Sequence, residues 1–213
     1  MDYNLVGLRQ RVRIDKLDDE EFDSGVIDNF INDAQRDIFN EYELPFQEKI
    51  FQGTVPAGST MFQSPSDLAQ LQSQTMADVP GFSNSKMKWR DFFQAFPDNM
   101  NQTPGAPSAW TLYAQNIIFD KPTDQDYTFT LFYIRKPKLL SGDTDVPEIP
   151  EDFAELLVLG AYIRVLKRNE DFDQAAYVQN DYDRQLDLLV ARYGFRESDG
   201  AIKMKNRQVN VRR

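Results

Sequence analysis

Residues 127–167 read YTFTLFYIRKPKLLSGDTDVPEIPEDFAELLVLGAYIRVLK, and the hydrophobic period changes within them. Tyr127–Arg135 alternates at period two, the spacing of a strand, with Tyr127, Phe129, Leu131 and Tyr133 on one face. The other face holds Thr128, Thr130, Phe132 and Ile134, so burial on both sides is expected. Pro147 and Pro150 then mark a return to helix. Pro150 suits a first helical position, whose N–H has no intrahelical partner, and Glu151 and Asp152 favour the positive end of the helix dipole. Asp152–Lys167 is nearly all apolar through Leu156–Ala161, which predicts a helix buried on several sides.

Reading outward toward the C-terminus, Asn169–Asp171 breaks that helix. Another is expected from Phe172 to Tyr193, with Phe172, Ala175, Gln179, Tyr182, Leu186, Leu189 and Tyr193 on one seam. Gly194 is suited to stop it. At the N-terminus, Leu5, Leu8 and Val12 recur at helical spacing in Asn4–Lys16. Asp18–Glu21 marks a break. A second helix carries Val26, Phe30, Ile31, Ala34, Ile38 and Tyr42, capped by Ser24 or Asp28 and ended by Leu44-Pro45.

The middle has a different texture, rich in Pro, Gly, Ser, Thr and aromatics. Lys49–Val55 and Ser59–Phe62 flank Pro56-Ala57-Gly58, which reads as a hairpin turn. Ser64–Leu68 reads as the start of one short helical turn, and Lys86–Gln94 as a strand. Ser108–Tyr113 and Asn116–Phe119 form a hairpin about Ala114-Gln115. The expected fold class is therefore α+β. A helical core comes from the N- and C-terminal helix pairs, and it carries an inserted β-rich, sandwich-like domain and an extended C-terminal tail. The expected boundaries are 1–45, 46–146, 147–194 and 195–213.

Composition limits the chemistry. The 213 residues contain no cysteine and no histidine. Thiol nucleophiles, zinc–thiolate sites, imidazole bases and Ser-His-Asp triads are excluded. No secretory signal pattern and no apolar run of membrane-spanning length is evident. The net charge of −10 argues against a protein that grips phosphates. From Gly194 to Arg213 six basic residues outweigh two acidic ones, a net of +4, so the remainder carries −14. Such a polarised chain points to an interaction segment.

Each local candidate for chemistry has a plainer reading. Gly53–Thr60, GTVPAGST, lacks the Walker lysine, since Ser59 occupies its place, and reads better as a turn. The acidic clusters at Asp18–Glu21, Asp124–Asp126 and Asp143–Asp145 lack calcium-loop spacing and suit solvated loops. Trp89, Phe92, Phe93, Phe96, Trp110, Tyr113, Tyr127, Phe129 and Tyr133 could form a stacking platform for single-stranded nucleic acid or sugar, but the region is not basic, which favours packing. No catalytic residue, cofactor or metal site is expected.

The tail, Ala201–Arg213, reads AIKMKNRQVNVRR. Its alternation is that of a strand, and it follows Ser198-Asp199-Gly200. It suits β-augmentation on another molecule; a frayed basic terminus or a strand added to its own sheet is the alternative.

Two segments carry a family resemblance. Pro104–Leu140, PGAPSAWTLYAQNIIFDKPTDQDYTFTLFYIRKPKLL, combines a Gly-Pro-rich turn, an aromatic strand, the pattern I-x-F-x-x-P and an alternating strand with a Pro-Leu exit. Pro147–Gly194 has Pro-x-x-Pro at its start, then Leu156, Leu157, Gly160 and Ala161, then Tyr182 and Leu186. Together with the N-terminal helix pair from Val26 to Tyr42, these resemble the head-to-tail adaptor (connector) proteins of tailed bacteriophages. The resemblance implies a non-enzymatic virion protein at the head–tail junction, present in the host cytoplasm during assembly. It implies a homo-oligomeric, dodecameric ring bound to the portal protein, with the insertion toward a tail nozzle or hub protein. Genomic DNA would pass through its channel without specific binding. It also implies a portal-docking tail, at Ile202, Lys203, Met204, Lys205, Arg207, Val209, Val211, Arg212 and Arg213. The acidic body fits that role, because it would repel a passing duplex. Other readings are a nozzle or tail-completion subunit, a carbohydrate-binding module, or a hydrolase built on a carboxylate pair.

Overall fold

The computed structural model describes residues 3–17 and 22–194. In chain order the first elements are α1 (Leu5–Arg11), α2 (Ser24–Glu41), β1 (Glu48–Val55), β2 (Met61–Gln63) and β3 (Leu68–Met76). Then come α3 (Trp89–Ala95), β4 (Trp110–Tyr113), β5 (Asn116–Phe119) and β6 (Tyr127–Arg135), followed by α4 (Ala154–Arg168) and α5 (Phe172–Tyr193). The class is α+β. The chain divides into two compact units, Glu48–Arg135 and the segments on either side of it.

The helical unit has an aliphatic core. Leu5 and Leu8 of α1, Ile27, Ile31, Ala34 and Ile38 of α2, Leu156, Leu157 and Val158 of α4, and Leu186 and Leu189 of α5 form one buried cluster. The apolar run in α4 is buried continuously from Leu156 to Ile163, as its composition predicts. Its glycine is required. A Cβ at Gly160 would lie 2.7 Å from the Cβ of Ala34, so the bare backbone permits α2 and α4 to approach. Burial raises the pKa of Tyr182, whose ring would be 3.3 Å from the same Cβ.

Polar side chains lock the returning strand of chain onto α2. Asn32 accepts from Leu140 N at 2.8 Å and donates to Leu140 O at 2.9 Å. Gln35 accepts from Glu148 N at 3.1 Å and donates to Lys138 O at 3.0 Å. The loop 141–145 closes the start of α1, where Leu5 N donates to Asp145 O and Val6 N to Asp143 O. Within that loop, Asp145 accepts from Ser141 N and Gly142 N at 2.8 and 2.9 Å. The Gly142 and Ser141 amides, helped by Lys138, hold its pKa down at about 2. Arg9 adds two bonds to Asp28 and one to Asp143.

The β unit contains two three-stranded antiparallel sheets, β1-β6-β3 and β2-β5-β4. They share a core rich in aromatic rings, with Phe82, Trp110, Phe119, Tyr127, Phe129 and Tyr133 packed alongside Leu131. Phe119 and Phe129 bring the two sheets into edge-to-face contact at 6.4 Å. Phe82 stacks on Trp110 at 5.8 Å, and the indole N–H donates to Phe82 O at 3.0 Å.

Several expectations hold. β6 spans Tyr127–Arg135 and is the central strand of its sheet. β4 and β5 form the expected hairpin, with Ala114 and Gln115 both at positive φ, the backbone of a two-residue hairpin loop.

Others are corrected. Pro56-Ala57-Gly58 is not a hairpin turn: β1 pairs with β6 and β2 with β5, so the turn carries the chain from one sheet to the other. Lys86–Gln94 is not a strand. Lys86 makes one bridge to Trp110, and helix begins at Trp89. Ser64–Leu68 is a tight turn that leads into β3, not into helix. β6 is not buried on both faces, since Thr128 and Phe132 are exposed while Ile134 is buried. Asp23 caps α2, accepting from Gly25 N, whereas Ser24 is the first helical residue and Asp28 pairs with Arg9. Helix α4 begins at Ala154, after a short 3-10 turn at Glu151–Phe153. In α5, Phe172 faces solvent and Val178 rather than Gln179 is buried. Gly194 follows α5 in an extended conformation, φ −59°, not a left-handed one.

Candidate docking surfaces

The tail residues singled out in the sequence, Ile202, Lys203, Met204, Lys205, Arg207, Val209, Val211, Arg212 and Arg213, lie outside the described residues. So does the acidic run Asp18–Glu21. The surfaces that can be built are those of the two units.

On the helical unit, α5 buries Ala175, Val178, Leu186, Leu189 and Val190. Its other side is exposed and carries Tyr177 and Leu188. Both belong to a helix whose buried stripe is already occupied, so they are free to meet another molecule.

On the β unit, β1 and β6 pair with Ile50 opposite Phe132. Ile50 is 61% exposed and Phe132 37% exposed. With Glu48, Lys49, Gln72 and Tyr133 they line a cavity of ≈320 Å³. Beside it Asp67 accepts from Lys49 at 2.8 Å and from the Tyr133 hydroxyl at 2.8 Å. Burial opposes ionisation of Asp67, but those two donors prevail and its pKa is lowered.

A second surface surrounds α3. The segment that precedes it runs beside β4, with Met87 N donating to Trp110 O and Thr111 Oγ1 donating to Met87 O. That register places Trp89 against Tyr113 at 5.4 Å, with Arg90 over the indole ring at 5.1 Å. The spacing K-x-K-W-R in residues 86–90 was legible in the sequence. Averaging charge over the whole aromatic region hid it.

Carboxylates of the β unit have structural tasks. Asp120 is 1% exposed and accepts from Ser108 N, Ala109 N and the Ser108 hydroxyl. Asp126 accepts from Ala57 N, and Asp124 from the Tyr127 hydroxyl. Among the described residues no group of three or more Asp or Glu is placed to hold a metal ion. No helix among them is long and apolar enough to cross a membrane.

A family model, that of the SU10 adaptor protein, matches residues 3–207. The chain belongs to the SU10 adaptor protein family. The match spans both units. No curated protein matches the chain. Family membership makes it a bacteriophage adaptor, a structural component of the virion at the head–tail junction. The resemblance drawn from Pro104–Leu140 and Pro147–Gly194 is thereby confirmed at the level of the family.

Proposed function

We propose that this protein is a head-to-tail adaptor whose copies form a ring on the portal. The ring is dodecameric, extends the DNA channel and presents a docking surface to the tail nozzle or hub. The observation that carries this reading is the family match over residues 3–207. Ring closure needs two different complementary patches on each copy. The outer face of α5 and the exposed surfaces of the β unit supply candidates on separate parts of the chain. Attachment to the portal is assigned to Ile202–Arg213, whose alternating, basic sequence follows α5. The acidic remainder repels duplex DNA, so the genome passes without specific binding.

The test is negative-stain imaging of the purified chain mixed with the portal ring of the same phage. The expected result is an added ring-shaped layer, lost when residues 201–213 are deleted. Free chain beside bare portal rings overturns the adaptor ring. An added layer that persists in the truncated chain overturns the tail assignment alone.

A further inference from the structure

Lys86, Lys88 and Arg90 are all exposed, and Trp89 and Tyr113 are 44% and 46% exposed beside them. Among the described residues none of the three cations pairs with a carboxylate; Lys86 instead lies over the Trp110 ring at 5.5 Å and Arg90 over Trp89. Between them is a hollow of ≈350 Å³ lined by Met87, Trp89, Thr111 and Leu112 together with the basic residues and Asp91. The hollow is not a loose loop. Met87 is held to Trp110 and Thr111 of β4, and Phe92, the residue of α3 that anchors it from below, is fully buried.

We propose that this surface docks an acidic segment of a partner polypeptide. Its chemistry is almost entirely that of a donor: two ammonium groups, a guanidinium and an indole N–H, with Asp91 as the one carboxylate on the rim. Such a set needs a partner rich in carboxylates. The hollow next to it is apolar at Met87 and Leu112 and takes one aliphatic or aromatic side chain. Trp, Tyr and Arg together are the residues that most often carry binding energy at protein interfaces. Arg90 and Tyr113 both pack against Trp89, so the indole is held in place before a partner arrives. A nucleic acid fits less well. Three cations neutralise only a few phosphates, and a long polyanion would extend over the surface of a chain whose net charge is −10. A short acidic segment matches the cationic spot and goes no further. The proposal does not depend on how the chain attaches to a portal.

The experiment measures fluorescence anisotropy of a labelled peptide in which Asp and Glu flank one Leu, titrated with the full chain. An uncharged peptide with Asn and Gln in their place and an oligo-dT strand serve as competitors. The expected result is binding that weakens with added salt and falls about tenfold or more in Lys88→Gln/Arg90→Gln and in Trp89→Ala. Neither competitor should displace the peptide. Circular dichroism of each variant verifies that it is folded, and the two-cation variant, with only exposed side chains changed, remains informative if Trp89→Ala does not fold. Oligo-dT that binds more tightly than the acidic peptide makes the surface a nucleic-acid site and overturns the proposal. So does the absence of peptide binding, or binding that the folded variants retain in full.

Discussion

The helical unit and the β unit solve the same problem with different side chains. The helical unit buries mainly aliphatic side chains, with Phe39, Tyr42 and Phe153 among them, and packs the partly buried Phe46 and Tyr193 against that core. Its helices approach so closely that a methyl group at Gly160 has no room, and amide side chains on α2 clamp the incoming chain. The β unit buries a group of aromatic rings between two small sheets and still leaves Ile50, Phe132, Trp89 and Tyr113 in solvent. Both units leave large apolar side chains in solvent, Tyr177 and Leu188 on α5 as well as Ile50 and Trp89 on the β unit, because small units have little interior for their surface. The difference lies in what fills each core, mainly aliphatic side chains in one unit and mainly aromatic rings in the other.

The largest test of that contrast is Trp110→Ala. The indole is fully buried, stacked on Phe82 and hydrogen-bonded to its carbonyl. Its loss should cost about 3–5 kcal/mol of β-unit stability. Hydrogen exchange should show accelerated amides in β4, β5 and β6 with α2 and α4 unchanged. Equal acceleration in both units would show that they unfold as one and break the comparison.

Gly160→Ala probes the other side. Overpacking against Ala34 should cost about 1–3 kcal/mol, offset by about 1 kcal/mol of helix propensity. Thermal unfolding of the helical unit should therefore move down by a few degrees. A rise in melting temperature would mean that α2 and α4 are not packed as closely as the structure shows.

The smallest effect is local. The Asp145 carboxylate has a lowered pKa, about 2 against the ordinary 3.8. Its contribution to the 141–145 loop is complete above 3.8 and is lost as pH falls through about 2. Carboxyl resonances followed by NMR should give that midpoint, and Asp145→Asn should abolish the transition in the amides of Ser141 and Gly142. Titration at the ordinary value would show that the loop contacts do not form in solution.

Periodicity was a good guide wherever one element decides its own burial. Tyr127–Arg135 alternates because it is a strand with one buried face, and Leu156–Ala161 is apolar all round because helices cover α4 on more than one side. Where burial is slight the pattern fails. β3, LAQLQSQTM, is an edge strand with only Gln74 and Met76 buried, so polar residues fill most of it and nothing in its composition announces a strand. The aromatic run at α3 suggested a strand because Trp and Phe favour sheets, yet there they pack one helical face against β4. The candidate patch was half legible: its cations and Trp89 are adjacent in sequence, but Tyr113 joins them only through the hairpin.

By itself, then, the sequence determined the α+β class, the positions of the long helices, the strand Tyr127–Arg135, the hairpin about Ala114-Gln115, and the exclusion of thiol and imidazole chemistry. These follow from local spacing and composition. Only the tertiary structure decided that Pro56-Ala57-Gly58 sends the chain across to the second sheet, that Gly160 meets Ala34, and that Trp89 meets Tyr113. A turn has the same local chemistry whichever strands it joins, and a close contact depends on residues far away along the chain. Pairing between distant segments is therefore set by the packing of the whole unit.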